Sequence, residues 1–237
     1  KLAFDTWKKA GVIPHVQQLS SSYTGAAHIF IEDSTGDNAI IVAPGAATLI
    51  DIAYIQAHAA LIAGSDVFVT QLEQPMDSAM CGLEIARAAG VTTVLNPAPA
   101  AILPDGMLAL CDYVTPNETE CEFLTGISVR TQSQAKRACD ALRDLGVGTP
   151  IITMGEQGAF VHGHGLVPAV IAGNVIETTG AGDAFNGGFA AALAEKRTPL
   201  DAVRYGCATA GISVTKAGTA PSMPSRDMVE RLMRSGN

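Results

Sequence analysis

One short segment places a glycine-rich turn and a carboxylate at the start of an alanine-rich helical pattern. Residues 178–188 read TTGAGDAFNGG, in which Gly180, Ala181 and Gly182 directly precede Asp183. Small residues let backbone N–H groups converge on an anion, and the positive end of a helix adds its partial charge there. Asp183 would repel a phosphate, so we expect it to take the proton of a hydroxyl that attacks just beyond the anion. The segment predicts a phosphate site with its own base.

Other interpretations of this segment can be compared with the same residues. Aspartate is a favoured N-cap and glycines before a helix often form only a tight turn, so a purely structural role stays open. A P-loop needs Gly-Lys followed by Ser or Thr, and the chain contains no Gly-Lys pair. A dinucleotide-binding G-x-G-x-x-G would need glycine where Phe185 stands. The segment therefore disfavours both of these nucleotide motifs.

The segment resembles the C-terminal signature of the ribokinase family of carbohydrate kinases. Residues 96–99 (NPAP), 115–120 (TPNETE) and 153–158 (TMGEQG) also resemble family motifs, in the family's order and at similar separations. The resemblance implies an enzyme that transfers the γ-phosphate of ATP to a sugar hydroxyl with Mg²⁺. Asp183 would be the base and residues 180–182 the anion hole. In such a transfer the protein mainly positions the reacting groups and stabilises the charge of the transferring phosphoryl group.

Residues for the nucleotide and for Mg²⁺ follow from the resemblance. Asn117 and Glu120 match the family's Asn-x-x-Glu motif, in which the glutamate organises hydrated Mg²⁺. The same pair fits a capping box at the start of a helix, and that alternative stays open. The nucleotide-binding residues implied are Asn117, Thr153, Gly155, Gly158 and, beside the adenine, Cys207. An ordinary hairpin turn is the alternative for the segment 153–158.

The resemblance also implies residues that bind the sugar and a monovalent cation. Glu73 matches an acidic residue that contacts the sugar, and carboxylates suit paired hydroxyls, although an exposed glutamate at a strand end is usually only solvated. Glu177 stands where the family usually has Asp, so it could supply an oxygen to K⁺, displace the ion or be a surface charge. The full set of positions that match the cation site is Glu177, Thr179, Ser213, Lys216, Gly218 and Ser222.

Short apolar runs alternate with helical patterns along the chain, which indicates parallel strands joined by crossover helices. The expected fold class is α/β, a ribokinase-like three-layer α/β/α sandwich with a mostly parallel sheet and a small β lid. Ligands bind beyond the carboxyl ends of such strands, where the matched motifs lie. The predicted elements are helices 2–10 and 51–63, strand 66–71, helix 77–89, strands 91–95 and 113–115, helices 118–124 and 133–145, strand 151–154, a hairpin through 155–162, and helices 183–195, 200–216 and 225–234.

A hairpin near the start of the chain is the predicted lid. Residues 26–31 and 39–42 are apolar, partly β-branched runs around a polar turn cluster at 32–37. The resemblance implies that this hairpin, 24–44, covers the sugar and excludes water, while an ordinary sheet edge is the alternative. Its apolar face also predicts a homodimer through paired lids.

The expected organisation is one ribokinase-like domain over residues 1–237, with the lid inside it. The chain starts at Lys1 without Met and within a helical pattern, so we expect it to be truncated at its N-terminus relative to the family. Family residues that choose among ribose, deoxyribose, fructose and a nucleoside would lie largely upstream. Two other functions also remain open, a nucleotide-binding regulator with this fold and an interaction module.

Composition disfavours several classes of protein. A net charge of −8 and a pI near 5.0 argue against a nucleic-acid or anionic membrane surface, which would need clustered Lys and Arg. Apolar stretches are interrupted before about 18 residues, so no transmembrane helix is predicted. The odd number of widely spaced cysteines without a C-x-x-C pair favours a reducing cytoplasm: Cys81, Cys111, Cys121, Cys139 and Cys207.

Overall fold

Strands and helices alternate through most of the chain in the computed structural model, which describes residues 2–31 and 38–235. The chain divides into two units, Lys1–Ile50 and Asp51–Asn237. The turn cluster predicted at residues 32–37 lies outside the described residues. Within the described part of the chain, no helix is long and apolar enough to cross a membrane.

The first unit contains a helix and an antiparallel hairpin. Helix α1 is Leu2–Ala10, and strands β1 (Thr24–Ile31) and β2 (Asn38–Gly45) follow. The two strands pair in antiparallel register from Thr24 opposite Gly45 to Ile31 opposite Asn38. The pairing confirms the predicted hairpin, while its use as a lid stays a prediction.

The second unit is built on a sheet whose strand order is the chain order. Within the described residues the strands are β3 (Val67–Thr70), β4 (Thr92–Leu95), β5 (Tyr113–Val114), β6 (Thr149–Thr153), β7 (Gly158–Val161) and β8 (Gly165–Pro168). Strands β3 to β6 are parallel, and β7 and β8 are added antiparallel. The mostly parallel sheet and the change to a hairpin after β6 are both as predicted.

Helices connect and cover these strands. They are α2 (Ile52–Ala57), α3 (Ala59–Ala63), α4 (Met76–Ala88), α5 (Glu118–Thr125), α6 (Gln132–Asp144), α7 (Ala181–Ala194), α8 (Pro199–Ser213) and α9 (Arg226–Arg234). The single helix predicted at 51–63 is wrong, because the structure breaks it at His58, which leaves helical geometry with φ −106° and ψ 11°. The His58 ring nitrogen Nδ1 lies 2.8 Å from the carbonyl oxygen of Tyr54 and caps the end of α2.

Successive strand residues face two different hydrophobic cores. Leu95 of β4 and Ile152 of β6 belong to the core under α4, α5 and α6, whereas their neighbours Val94 and Ile151 belong to the core under α7, α8 and α9. Strand side chains alternate between the two faces of a sheet, so each face is covered by its own helices. Each such side chain contributes about 1.5–3 kcal/mol by its burial. This arrangement confirms the predicted three-layer sandwich.

Helix α7 is held closely against α8 and the sheet. A Cβ atom built on Gly188 would lie 2.2 Å from the Thr209 hydroxyl oxygen, and one on Gly206 would lie 2.9 Å from the Phe185 carbonyl oxygen. The two helices can approach this closely only because both positions lack a side chain. Phe189 of α7 also packs edge-on against Tyr113 of β5, with ring centroids 5.1 Å apart. These contacts fix the axis of α7 and therefore the position of its first turn.

Candidate active site

The first turn of α7 is formed by the glycine-rich segment. Gly180 is the N-cap residue, with φ 80° and ψ 4°, a left-handed conformation that favours glycine. The Ala181 N–H donates to the Thr178 carbonyl oxygen at 3.1 Å, and the Ala184 N–H donates to the Gly180 carbonyl oxygen at 2.9 Å. The helix thus begins at Ala181, two residues earlier than predicted. The N-cap alternative for Asp183 is wrong, because Gly180 holds that position and Asp183 is the third helical residue.

Open space lies in front of this turn. The first N–H groups of an α-helix have no acceptor within the helix, and Gly182 and Asp183 belong to that set. A Cβ atom on Gly182 would meet nothing within 4 Å, and Gly182 is exposed. An anion can therefore approach the backbone here at the positive end of the helix. Gly180 shapes the turn, Ala181 uses its N–H within it, and the Gly182 and Asp183 N–H groups have no acceptor within the helix. The anion hole of residues 180–182 stays a prediction.

The carboxylate of Asp183 is held by a residue that was not predicted. Its oxygen Oδ1 accepts a hydrogen bond from Gln71 Nε2 at 3.1 Å. Gln71 directly follows β3, so its place at a strand end was visible in the sequence, but the partner 112 residues away was not. Asp183 also borders a cavity of about 290 Å³, whose other lining residues are Ala184, Gly187, Gly188, Ala191, Tyr205, Thr209, Met223, Pro224, Arg226 and Val229.

Asn117 and Glu120 form a complete capping box at the start of α5. Glu120 N–H donates to Asn117 Oδ1 at 2.8 Å, while Asn117 N–H and Nδ2 donate to the two carboxylate oxygens of Glu120, each at 2.9 Å. The capping alternative is therefore confirmed. Burial raises the pKa of Glu120, and the bond from the Asn117 N–H opposes this in part. Each carboxylate oxygen keeps a second lone pair, so the residue still fits contact with a metal-bound water.

The nucleotide-loop residues 153–158 lie next to that box. Thr153 ends β6, forms a parallel bridge with Asn117 and donates its N–H to the Pro116 carbonyl oxygen at 2.9 Å. Gly155 and Gly158 both have positive φ, 50° and 111°. A Cβ atom on Gly158 would lie 2.1 Å from the Val167 carbonyl oxygen, so this glycine is required by the pairing of β7 with β8. The hairpin accounts for Gly158, and contact with a nucleotide stays a prediction.

Cys207 and Glu73 occupy contrasting environments. Cys207 is buried in the core beneath α8, and burial raises the pKa of its thiol to about 12. In the described residues, the cavity beside Asp183 is lined from α8 by Tyr205 and Thr209 rather than by Cys207. Glu73 lies three residues beyond β3 and is exposed. Their contacts with adenine and sugar stay predictions.

Glu177 joins two loops that carry predicted cation-site positions, while cation binding stays a prediction. Its Oε2 accepts a hydrogen bond from the Gly218 N–H at 2.7 Å, and this bond, followed by one from the Thr179 side chain, lowers the pKa of Glu177. Glu177 is therefore not merely a solvated surface charge. The other predicted positions bond within their own loop, since Lys216 N–H donates to the Ser213 carbonyl oxygen at 3.3 Å and the Ser222 hydroxyl donates to the Thr219 carbonyl oxygen at 2.7 Å.

Known proteins resemble this chain in both sequence and structure. The model of the pfkB family carbohydrate kinases matches residues 2–226. The ribokinase of Haemophilus influenzae is 42% identical over 215 residues, which cover 90% of this chain and 70% of that protein. The ribokinase of Thermotoga maritima has a TM-score of 0.85 at 31% identity, covering 98% of this chain and 76% of the other. Arabidopsis thaliana ribokinase, solved with ribose and ATP, has a TM-score of 0.84 at 28% identity, covering 90% of this chain and 70% of the other.

Proposed function

Since this chain belongs to the pfkB family of carbohydrate kinases, we propose that ribose is the acceptor of its phosphoryl transfer. The chain is an ATP-dependent kinase that phosphorylates a sugar hydroxyl. Ribose is favoured among sugars because the 42% identical relative is a ribokinase and because a structural relative was solved with ribose and ATP. The observation that carries the assignment of the site is the carboxylate of Asp183 beside the open first turn of α7.

The chemistry assigned to the chain uses this turn. Asp183 takes the proton from the attacking sugar hydroxyl, while Gln71 holds one carboxylate oxygen and leaves the other for the substrate. The N–H groups at the start of α7 stabilise the negative charge of the transferring phosphoryl group. Glu73 accepts hydrogen bonds from sugar hydroxyls. Thr153, Gly155, Gly158 and Cys207 lie on the nucleotide side.

Metal ions complete the proposed site. Mg²⁺, when bound, neutralises phosphate charge, and Glu120 contacts it through water by the lone pairs that Asn117 leaves free. K⁺ is assigned to the loops joined by Glu177 and Gly218, with Thr179, Ser213, Lys216 and Ser222 as the remaining positions. The support for this assignment is the carboxylate of Glu177 held between the two loops.

Two further properties belong to the proposal. The chain acts in a reducing cytoplasm, which is supported by its five free cysteine thiols. Thiols counted after unfolding without reductant should number five, and a lower count would contradict this. A second copy of the chain binds to the β1–β2 hairpin, whose Ile41 and Val42 side chains are exposed.

Formation of ADP that depends on sugar tests the proposed function. We expect ribose to give faster turnover than deoxyribose, fructose or a nucleoside, and K⁺ to raise the rate above that in Na⁺. Asp183→Asn should slow turnover about 10²- to 10⁴-fold with ATP binding retained, because the proton acceptor is lost. Asp227→Asn is the matched control, since Asp227 is also an exposed carboxylate in the first turn of a helix.

Three results would contradict this proposal in different ways. ATP binding without turnover of any sugar would favour the nucleotide-binding regulator. Neither binding nor turnover would favour the interaction module. Equal loss in Asp183→Asn and Asp227→Asn would show that Asp183 has no special role in the reaction.

A further inference from the structure

Three neighbouring parallel strands are each followed by a polar residue at the carboxyl end of the sheet. Gln71 follows β3, Asn96 follows β4 and Thr115 follows β5. The backbone ladder continues to these positions, because the Asn96 N–H donates to the Thr70 carbonyl oxygen at 2.9 Å and the Thr115 N–H donates to the Leu95 carbonyl oxygen at 3.0 Å. The three residues are therefore held side by side at the end of the sheet where α7 begins.

Two of these side chains are buried and hydrogen-bonded towards α7. Asn96 is 8% exposed and Thr115 is 1% exposed, so their polar atoms need partners within the protein. Asn96 Nδ2 donates to the Thr115 carbonyl oxygen at 3.0 Å, and the Thr115 hydroxyl donates to Asn186 Oδ1 at 2.7 Å. Asn186, which is 6% exposed, donates from Nδ2 to the Gly182 carbonyl oxygen at 2.9 Å. The carboxyl end of the sheet is thus linked to the carbonyl oxygen of the peptide group between Gly182 and Asp183.

A second branch links the same end of the sheet to the carboxylate. Gln71 Nε2 donates to Asp183 Oδ1 at 3.1 Å and lies 3.5 Å from Asn96 Oδ1. Because Gly182 and Asp183 are adjacent in the first turn of α7, the two branches meet there. Side chains at the carboxyl ends of these strands are consequently hydrogen-bonded both to the carboxylate of Asp183 and, through Asn186, to the first turn of α7.

We propose that Gln71, Thr115 and Asn186 are positioning residues, which set the carboxylate of Asp183 at a fixed distance from the N–H groups of the α7 first turn. This rests on the proposed function, in which Asp183 takes the hydroxyl proton and those N–H groups stabilise the phosphoryl group. Displacement of a reacting group by about 1 Å can cost about 10²-fold in rate. A connected network of buried hydrogen bonds reduces such displacement more than isolated bonds do.

Thr115→Val tests the buried branch, because it removes the hydroxyl at nearly constant volume. The matched control is Thr93→Val. Thr93 is also fully buried on the sheet, where its hydroxyl donates to the Leu110 carbonyl oxygen at 2.7 Å and accepts from the Asp112 N–H at 2.8 Å. Both variants should lower the midpoint of thermal unfolding by a similar amount, about 2–4 °C. Thr115→Val alone should lower kcat about 10- to 100-fold with the KM for ATP within about threefold, and Thr115→Ser should restore kcat.

Gln71→Met tests the second branch with little change of shape. The control is Gln134→Met, since Gln134 on α6 is half-buried as well. Its Oε1 accepts hydrogen bonds from the Arg130 N–H and the Thr131 hydroxyl, which belong to the residues just before α6. We expect Gln71→Met to lower kcat about tenfold with its unfolding midpoint unchanged, and Gln134→Met to leave kcat unchanged. A wild-type kcat in Gln71→Met would remove Gln71 from the proposed network.

Amide hydrogen exchange of residues 180–186, measured by mass spectrometry, gives a readout that does not depend on turnover. Exchange there should rise about tenfold in Thr115→Val and stay unchanged in Thr93→Val. Equal exchange and equal kcat in these two variants would overturn the proposal and leave the network a purely structural one. If the wild-type chain and Asp183→Asn both fail to turn over sugar, the proposed function fails, and the exchange comparison still decides whether the network positions the turn.

Discussion

Gly180 and Gly182 lie in one turn but are constrained by different features of it. Gly180 has φ 80°, and a Cβ atom there would lie 3.3 Å from the Thr219 side chain. Gly182 has no positive φ, and its missing Cβ would point into open space. The backbone therefore requires the first glycine, whereas only an incoming anion would require the second.

These constraints predict opposite results for two alanine variants. Gly180→Ala should lower the free energy of unfolding by about 1–2 kcal/mol, because a side chain is strained in the left-handed region. Gly182→Ala should keep or raise it by up to about 1 kcal/mol through helix propensity, yet slow turnover because the methyl group occupies the approach of the phosphoryl group. Chemical denaturation and ADP formation measure the two effects. A Gly182→Ala variant that turns over at the wild-type rate would remove Gly182 from the anion site.

The start of α5 carries both a cap and a proposed metal contact, and two substitutions separate them. Asn117→Ala removes the cap and should cost about 1 kcal/mol of stability. Glu120→Gln keeps an oxygen that accepts from the Asn117 N–H, so the helix start should persist, but the negative charge is lost. We expect Glu120→Gln to raise the Mg²⁺ concentration needed for half-maximal turnover by about tenfold or more with little change in unfolding. A normal Mg²⁺ dependence in this variant would leave Glu120 with the capping role alone.

At the scale of elements, local sequence patterns were enough to predict most of the strands and helices but not the long-range side-chain pairings. The alternation of strands and helices, the hairpin after β6 and the strand-end positions of the motifs follow from periodicity and turn residues, which act within a few positions. At the break, the His58 ring nitrogen Nδ1 lies 2.8 Å from the Tyr54 carbonyl oxygen, a contact that periodicity does not report. The bonds from Gln71 to Asp183 and from Thr115 to Asn186 join residues far apart in sequence, so only the fold could reveal them.

For the whole molecule, the exposed Ile41 side chain of the hairpin predicts self-association. Ile41 is 61% exposed on β2, and a second copy of this chain would bury it. Ile41→Glu should convert a dimer to a monomer in sedimentation velocity, because a buried unpaired charge opposes association. Ile102→Glu is the control, since Ile102 is 85% exposed and lies outside the hairpin. A wild-type chain that sediments as a monomer at all concentrations would disprove the dimer.

The order of strands in the large sheet has a consequence for how the chain folds on the ribosome. Each described strand from β3 to β8 pairs with its neighbour in sequence. Such a sheet can grow by addition at one edge, so every new strand meets a partner that has already been synthesised, and none must be inserted between two paired strands. The connections after β6 are short, and the longest crossover between β3 and β6 comprises residues 115–148, so no step closes a loop across the whole chain. Strand pairing can therefore follow synthesis from β3 to β8, whereas the face that carries Val94 and Ile151 is covered only after α7, α8 and α9 have been synthesised.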